Sequence, residues 1–187
     1  GYFDGDEAVG SAGGVIGGVA PTFDVIAGIP VTYGIPVTGY LFGELPSRDL
    51  NFVIYADLNN NGTYEYNEPG IGGESVELSG LTYRGVVVSV TRLTDFYGMG
   101  SFSGIAPGVY TLTETQPMTW ADGLDSVSGA GVAGNDIVTG IALTGSANTA
   151  SVQFGERVPG ISGIVFVDAN ANGVYGNETG IGGLAIW

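Results

Sequence analysis

The sequence predicts an all-β protein built from tandem antiparallel β-sandwich repeats, and three observations carry this prediction. Apolar and polar residues alternate in short runs that are rich in β-branched and aromatic side chains. Glycine and proline, with 35 and 8 of the 187 residues, fall at regular intervals between these runs, as turns do in an all-β protein. Several motifs recur along the chain at a fixed spacing, which is typical of repeat proteins.

The spacing of the recurring motifs sets the length of one repeat at about 111 residues, the size of a single sandwich domain. The segment Asp57-Leu-Asn-Asn-Asn-Gly62 returns as Asp168-Ala-Asn-Ala-Asn-Gly173, and Phe42-Gly-Glu44 returns as Phe154-Gly-Glu156. This period predicts the C-terminal part of one repeat, a complete repeat and the N-terminal part of a third, with the boundaries 1–47, 48–158 and 159–187.

Seven strands are predicted in the complete repeat, because seven short segments show a period of two in their apolar residues. In chain order they are 50–56 (LNFVIYA), 74–79 (ESVELS), 86–93 (VVVSVTRL), 99–103, 109–115 (VYTLTET), 137–143 (IVTGIAL) and 150–154 (ASVQF). Tyr110 and Leu112 face one side of the fifth segment, and threonines face the other. Tyr110 is interpreted as either a corner tyrosine or a core side chain. Since no segment has a sustained 3.6-residue apolar period, we expect little helix and an antiparallel sandwich.

The composition argues against several classes of function. The chain has no His, no Cys and no Lys, so thiolate nucleophiles, imidazole bases and ordinary zinc sites are absent, and we do not expect an enzyme. The net charge of −15 repels nucleic acid and anionic membrane surfaces, which leaves cations as the natural partners. No stretch of about 18 apolar residues occurs, so we expect no membrane insertion of this segment.

The segment that begins at Asp57 has the ligand spacing of an EF-hand-type calcium loop. Oxygen donors stand at positions 1, 3, 5, 7, 9 and 12 of this loop, and Gly62 at position 6 permits a sharp turn. These donors are Asp57, Asn59, Asn61, the Thr63 carbonyl, Glu65 and Glu68. Three carboxylates offset the charge of a hard cation such as Ca²⁺, and amide oxygens complete its shell. The alternative is an Asn-rich turn whose side chains bond their own backbone.

The second copy of this loop departs from the first. One residue is missing between Gly173 and Glu178, and Gly176 stands where an acidic ligand is expected. The ligands predicted for this copy are Asp168, Asn170, Asn172 and Glu178. We therefore expect a weaker calcium site here, or one that water or a neighbouring group completes.

Seven short motifs follow one another along the chain: Asp-x-Asn-x-Asn-Gly, Gly-Ile-x-Gly, Thr-Asp-x-x-Gly, Pro-Gly-x-Tyr-Thr, Asp-Gly-x-Asp, Asn-Asp-Ile and Phe-Gly-Glu. In this order they resemble the calcium-binding B repeats of bacterial serine-aspartate-repeat surface proteins, which belong with Cna B-type sandwiches. The resemblance implies an Ig-like or prealbumin-like fold. It also implies an extracellular or cell-surface location, in a stalk, spacer or adhesin segment that calcium makes rigid.

The resemblance further implies additional calcium near an acidic group in the second half of the repeat. The residues concerned are Asp122, Asp125 and Asp136, and Asp4, Asp6 and Asp24 echo them in the preceding segment. Solvated turn carboxylates explain these residues equally well, and Asp95 is interpreted as a turn former. Many Cna B-type modules carry a Lys–Asn isopeptide bond promoted by a Glu. Glu114 lies in a similar context, but a chain without Lys cannot form that bond.

Three functions are compatible with these patterns. The favoured one is a structural repeat of a bacterial surface fibre or stalk that Ca²⁺ rigidifies, with neighbouring repeats of the same protein as partners in a homopolymer or long multi-repeat fibre. The alternative is an adhesin module that binds a protein or carbohydrate, with Trp120 and Trp187 as aromatic platforms, although aromatic residues of sandwiches are more often core. A glycosidase needs two carboxyls across a cleft, whereas the acidic residues here lie in turns.

Overall fold

The chain folds as an all-β protein, which confirms the predicted fold class. The computed structural model describes residues 1–19, 22–144, 149–160 and 164–183. No helix occurs in these ranges, and thus none that is long and apolar enough to cross a membrane. The strands are β1 (Tyr2–Ala8), β2 (Val15–Val19), β3 (Thr22–Ala27), β4 (Leu41–Pro46), β5 (Arg48–Ala56), β6 (Ser75–Thr82), β7 (Val87–Leu93), β8 (Met99–Ile105), β9 (Gly108–Glu114), β10 (Ala121–Asp122), β11 (Ser126–Ser128), β12 (Val132–Gly134), β13 (Ile137–Leu143) and β14 (Thr149–Arg157).

Two five-stranded sheets face each other and enclose the core. One sheet has the order β10-β14-β5-β8, with β11 also paired to β14, and the other has the order β12-β13-β9-β6-β7. The inward side chains are fully buried, among them Leu50 and Phe154 from the first sheet and Leu78, Leu112 and Ile141 from the second. Alternate positions face this core most clearly in β9, as the period-two pattern predicted.

All seven predicted strands are present, as β5 to β9, β13 and β14. The antiparallel prediction holds for every described pairing except one, because β14 runs parallel to β5 from Thr149 opposite Asp49 to Glu156 opposite Ala56. β5 is paired on both edges and its last five residues are all buried, which explains its nearly continuous apolar sequence. The pairing joins the first and last long strands of the sandwich.

Three further sequence predictions concern Tyr110, Asp95 and the two tryptophans. The Tyr110 hydroxyl donates to the Ala106 carbonyl at 2.6 Å, so this residue is a corner tyrosine and also a buried core side chain. Asp95 is a turn former, because its Oδ1 accepts the N–H groups of Tyr97 and Met99. Trp120 is half-buried and packs against the core, whereas Trp187 lies outside the described residues.

The N-terminal segment forms two small antiparallel sheets, β1 with β4 and β2 with β3. Asp4 lies opposite Glu44 in the first of these sheets. In the sandwich, Asp122 on β10 lies opposite Glu156 on β14. An aspartate therefore faces the glutamate of a Phe-Gly-Glu motif in both places.

Candidate metal centre

The predicted calcium loop begins where β5 ends. An isolated bridge between Tyr55 and Gly70 closes its base. The carboxylate of Asp57 is buried and turns inward, where it accepts the N–H groups of Asn61 at 3.0 Å and Gly62 at 2.8 Å. Gly62 has a φ of 71°, a conformation that glycine adopts without strain. The loop is thus folded around its first acidic residue.

The remaining predicted ligands lie in the same loop. Glu68 is buried and accepts the N–H groups of Leu58 at 2.9 Å and Glu65 at 3.0 Å. The carboxylate of Glu65 accepts the side-chain amides of Asn59 at 2.8 Å and Asn61 at 3.1 Å. Binding of a cation requires these two amides to turn their oxygens inward, since their nitrogens now face Glu65.

Thr63, whose carbonyl is the predicted ligand, donates its N–H to the Asn61 side chain at 2.8 Å. The hydrogen bonds within the loop are those of an Asn-rich turn. Calcium ligation by this loop therefore stays a prediction.

The second loop repeats three of these carboxylate-to-backbone hydrogen bonds in spite of its missing residue. Asp168 accepts the N–H groups of Asn172 at 3.0 Å and Gly173 at 2.9 Å, and Glu178 accepts that of Ala169 at 3.1 Å. Asn170 adds a further acceptor for the Asn172 N–H at 3.1 Å. In this copy no acidic side chain stands where Glu65 stands in the first, so its predicted ligand set remains smaller.

A second acidic group lies beside the first loop, where the Asp57 N–H donates to the Glu156 carbonyl at 2.7 Å. Glu114 at the end of β9, Asp136 before β13 and Glu156 on β14 each place a carboxylate oxygen within 4.8 Å of the others. Glu114 and Glu156 are 4% and 0% exposed. Both oxygens of Glu114 and the Oε1 of Glu156 accept no hydrogen bond from the described residues. Buried carboxylates without donors need a cation or a proton.

The three aspartates predicted as ligands in this region have different partners in the structure. Asp136 belongs to the group with Glu114 and Glu156. Asp122 lies opposite Glu156 on the neighbouring strand, with its Oδ1 buried and without a hydrogen-bond partner in the described chain. Asp125 instead uses both oxygens structurally, accepting the N–H groups of Asp136 at 3.0 Å and Gly155 at 3.1 Å.

Burial and mutual repulsion keep protons on this group when no cation is present. Burial, together with the smaller effect of the Glu156 charge, raises the pKa of Glu114 to about 10. Burial raises the pKa of Glu156 to about 7, although a hydrogen bond from the Gln116 amide opposes the rise. Burial also raises the pKa of Asp125 to about 7. A divalent ion that binds here must therefore displace protons.

Glu114 and Glu156 are not among the ligands that the sequence predicts. Glu114 was noted only for its isopeptide-like context, and Glu156 only as part of a recurring motif. That recurrence was the available signal, because the Phe-Gly-Glu motif places its glutamate opposite an aspartate in both copies.

Comparisons with known proteins agree with the sequence resemblance. A model of the SdrD B-like domain matches residues 50–154. No curated protein matches the sequence. Solved structures with a similar fold include the plantain pollen allergen Pla l 1, with a TM-score of 0.41 and 11% identity over 63% of this chain and 98% of that chain.

Two bacterial structures are also similar. For the shaft pilin SpaA from Lactobacillus rhamnosus GG the TM-score is 0.38 and the identity 11%, over 64% of this chain and 53% of that chain. For the pilus adhesin RrgA from Streptococcus pneumoniae the TM-score is 0.36 and the identity 12%, over 62% of this chain and 16% of that chain. Because the family model covers more than half of the sequence and spans the sandwich from β5 to β14, the chain belongs to the SdrD B-like domain family.

Proposed function

We propose that the chain is an extracellular structural module of a bacterial surface fibre or stalk, and that Ca²⁺ bound at its acidic sites makes the module rigid. One observation carries this proposal: Glu114 and Glu156 come from opposite sheets and meet Asp136 in a buried group. A cation bound there joins the two sheets at one end of the sandwich. Carboxylate oxygens are the ligands that Ca²⁺ prefers, and the loop from Asp57 to Glu68 supplies a second set nearby.

The tandem arrangement belongs to the same proposal. The boundaries 1–47, 48–158 and 159–187 are supported by two likenesses between the segments. Asp4 faces Glu44 as Asp122 faces Glu156. Asp57 and Asp168 accept equivalent backbone N–H groups in the two Asn-rich loops. Successive modules of one chain, or of a homopolymer, are then the partners that extend the fibre.

A role without catalysis is supported by the burial of the carboxylate pair. Glycosidases use two carboxyl groups that reach a sugar from a cleft. Glu114 and Glu156 are close enough to act as a pair, but both side chains are inside the sandwich. We therefore assign them a structural role.

An adhesin module is the second candidate, and one surface feature favours it. Phe96 and Tyr97 are 86% and 66% exposed and stand edge to face at 5.3 Å. They line a shallow pocket of about 450 Å³ together with Pro69, Gly70 and Gly72. Exposed aromatic side chains of this kind bind apolar or sugar surfaces.

Thermal unfolding with and without a chelator tests the structural proposal. A ligand that binds only the folded state stabilises it, so excess Ca²⁺ should raise the melting temperature by several degrees. Circular dichroism at 218 nm, the region of the β-sheet signal, follows the transition. Identical melting curves in Ca²⁺ and in chelator would contradict calcium rigidification, and the aromatic surface would become the leading candidate.

A further inference from the structure

One edge of the sandwich is open. β7 is the last strand of its sheet, and within the described residues it pairs only with β6. Its ladder with β6 runs over seven consecutive residue pairs without a register shift. The strand contains no proline and no lysine, and it is exposed along almost its whole length. A long, regular and exposed edge strand is a template for pairing with another strand.

The other described edges of the sandwich do not offer such a template. β12, at the far end of the same sheet, has three residues, and β10 and β11 of the opposite sheet have two and three. The pairing of β8 with β5 contains a register shift. Short and irregular edges are common means by which proteins prevent strand addition. Among the described edges of the sandwich, β7 is therefore the one that is both long and regular.

The hydrogen bonds at the two ends of the β6–β7 ladder show which backbone groups face the open edge. Thr82 donates its N–H to the Val86 carbonyl, and Thr94 donates its N–H to the Glu74 carbonyl, each at 2.9 Å. Because bonded and non-bonded pairs alternate in an antiparallel ladder, Val90 and every second residue from it direct their backbone groups to β6. The N–H and C=O groups that point to the open edge belong to Val87, Ser89, Thr91 and Leu93.

The side chains of β7 follow the same alternation. Val90 lies opposite the buried Leu78 and is on the core side of the sheet. Val87 and Leu93, at the two ends of the strand, are on the outer side and are 76% and 64% exposed. The outer side of this edge strand thus has an exposed apolar residue at each end.

The sequence of β7 is complementary to itself in one register. Two copies that run antiparallel with Val90 on a twofold axis place Leu93 opposite Val87 and Thr91 opposite Ser89. These four residues direct their backbone groups to the shared edge, so each facing pair exchanges hydrogen bonds. The facing side chains are apolar at both ends and carry hydroxyl groups in the middle, and both kinds of cross-strand pair are favourable.

The charge distribution is compatible with this contact. The net charge of −15 opposes the association of two copies through most of their surface. β7, however, carries no acidic side chain, and its one charged residue is the exposed Arg92. In the antiparallel register Arg92 of one copy lies opposite Val88 of the other, so no like charges face each other directly.

We propose that β7 is an edge for lateral association, at which a second copy of this chain adds its own β7 in antiparallel orientation and joins the two sheets into one. Main-chain hydrogen bonds hold the two copies together, and the Leu93–Val87 pairs fix the register. The contact is side by side. It therefore goes beyond the end-to-end arrangement of modules in a fibre, and it does not require calcium.

Sedimentation velocity of the full chain in chelator tests the association. Wild type should pass from monomer to dimer between about 1 µM and 1 mM. Leu93→Lys replaces an apolar cross-strand pair at both ends of the twofold contact and should weaken the dimer about tenfold. Val132→Lys is the matched control, because Val132 is 70% exposed on β12 at the opposite edge of the same sheet, and it should associate as wild type does.

A second substitution tests the register. Val87→Glu alone should also weaken the dimer, whereas Leu93→Lys and Val87→Glu in one chain place opposite charges across the contact and should restore it. Within one strand these two positions are about 20 Å apart, so their side chains cannot compensate each other inside a single copy. A wild-type chain that stays monomeric overturns the proposal and leaves the edge to an extended segment of another protein. A dimer that Leu93→Lys does not weaken, or that the double variant does not restore, overturns it as well.

Discussion

Glu114 and Glu156 belong to opposite sheets of the sandwich, yet their carboxylate oxygens lie within 4.8 Å of each other at one end of it. Neither side chain has solvent to screen its charge. The pair is therefore unfavourable when both carboxylates are ionised and favourable when a cation lies between them. This dependence on a cation leads to opposite expectations for the module with and without calcium.

Replacing Glu156 by Gln should separate these two states. In chelator at pH 8 the variant removes a buried charge. Its free energy of unfolding should therefore increase by an amount on the order of 2 kcal/mol, and its melting temperature should rise. In excess Ca²⁺ the variant should gain less stability than wild type, because a ligand is lost. Glu77→Gln, on the exposed face of β6, is the control and should behave as wild type in both conditions. A variant that is destabilised in chelator would contradict an unfavourable buried charge at Glu156.

The pH dependence of the metal-free chain follows from the raised pKa values. Burial holds the pKa of Glu156 and of Asp125 at about 7, above the value of about 4 in an unfolded chain. The folded state thus keeps protons that the unfolded state releases. The contribution of these two groups to the free energy of unfolding is therefore fully present below about pH 4 and is lost as the pH rises to about 7. Melting temperatures in chelator between pH 4.5 and 8 should decrease, and Glu156→Gln should flatten the slope. A melting temperature that rises over this range would contradict the pKa assignment.

Two substitutions distinguish the folding role of the first loop from its calcium role. Asp57→Ala removes the acceptor of the Asn61 and Gly62 N–H groups and should cost about 1–3 kcal/mol even in chelator. Glu65→Gln keeps the loop folded and should change only the response to Ca²⁺. Urea unfolding in chelator and in Ca²⁺ gives both values. Equal stability of Asp57→Ala and wild type in chelator would show that the loop does not depend on this carboxylate.

The corner tyrosine should contribute to stability through its hydroxyl. Tyr110→Phe keeps the ring in the core and removes only the bond to the Ala106 carbonyl, which should cost about 1 kcal/mol. For a sandwich of this size that loss lowers the melting temperature by about 4–8 °C. Tyr97→Phe, at an exposed position, is the control and should be neutral. A neutral Tyr110→Phe would mean that the residue acts only through packing.

The strands were predictable because a strand that is buried on one face has apolar residues at every second position. The segment 109–115, with Tyr110 and Leu112 inward, was found for this reason as β9. The parallel partnership of β5 and β14 was not predictable, since the choice of partner depends on contacts between residues far apart in the chain. Local residue propensities do not determine which strands pair.

The candidate sites show the same difference between local features, which the sequence predicts, and contacts between distant residues, which it does not. The loop from Asp57 to Glu68 is local, so its spacing alone was enough to predict one turn, which the structure shows closed by hydrogen bonds to Asp57 and Glu68. Glu114 and Glu156 meet only because two sheets pack against each other, so local spacing in the sequence does not predict their contact. Asp125 was grouped with Asp136 correctly in space, but its oxygens are used by backbone N–H groups. Spacing does not show which atoms a carboxylate faces.

The most direct measurement is a calorimetric titration of the metal-free chain with Ca²⁺ at pH 7.5, in parallel with Glu65→Gln and Glu156→Gln. We predict saturable binding with dissociation constants of about 10⁻⁴ to 10⁻³ M or tighter, the range of extracellular calcium modules. Each variant should lose a different part of the binding heat, because the loop and the buried group are separate sites. An absence of saturable heat, or three identical isotherms, would contradict the calcium-stiffened module.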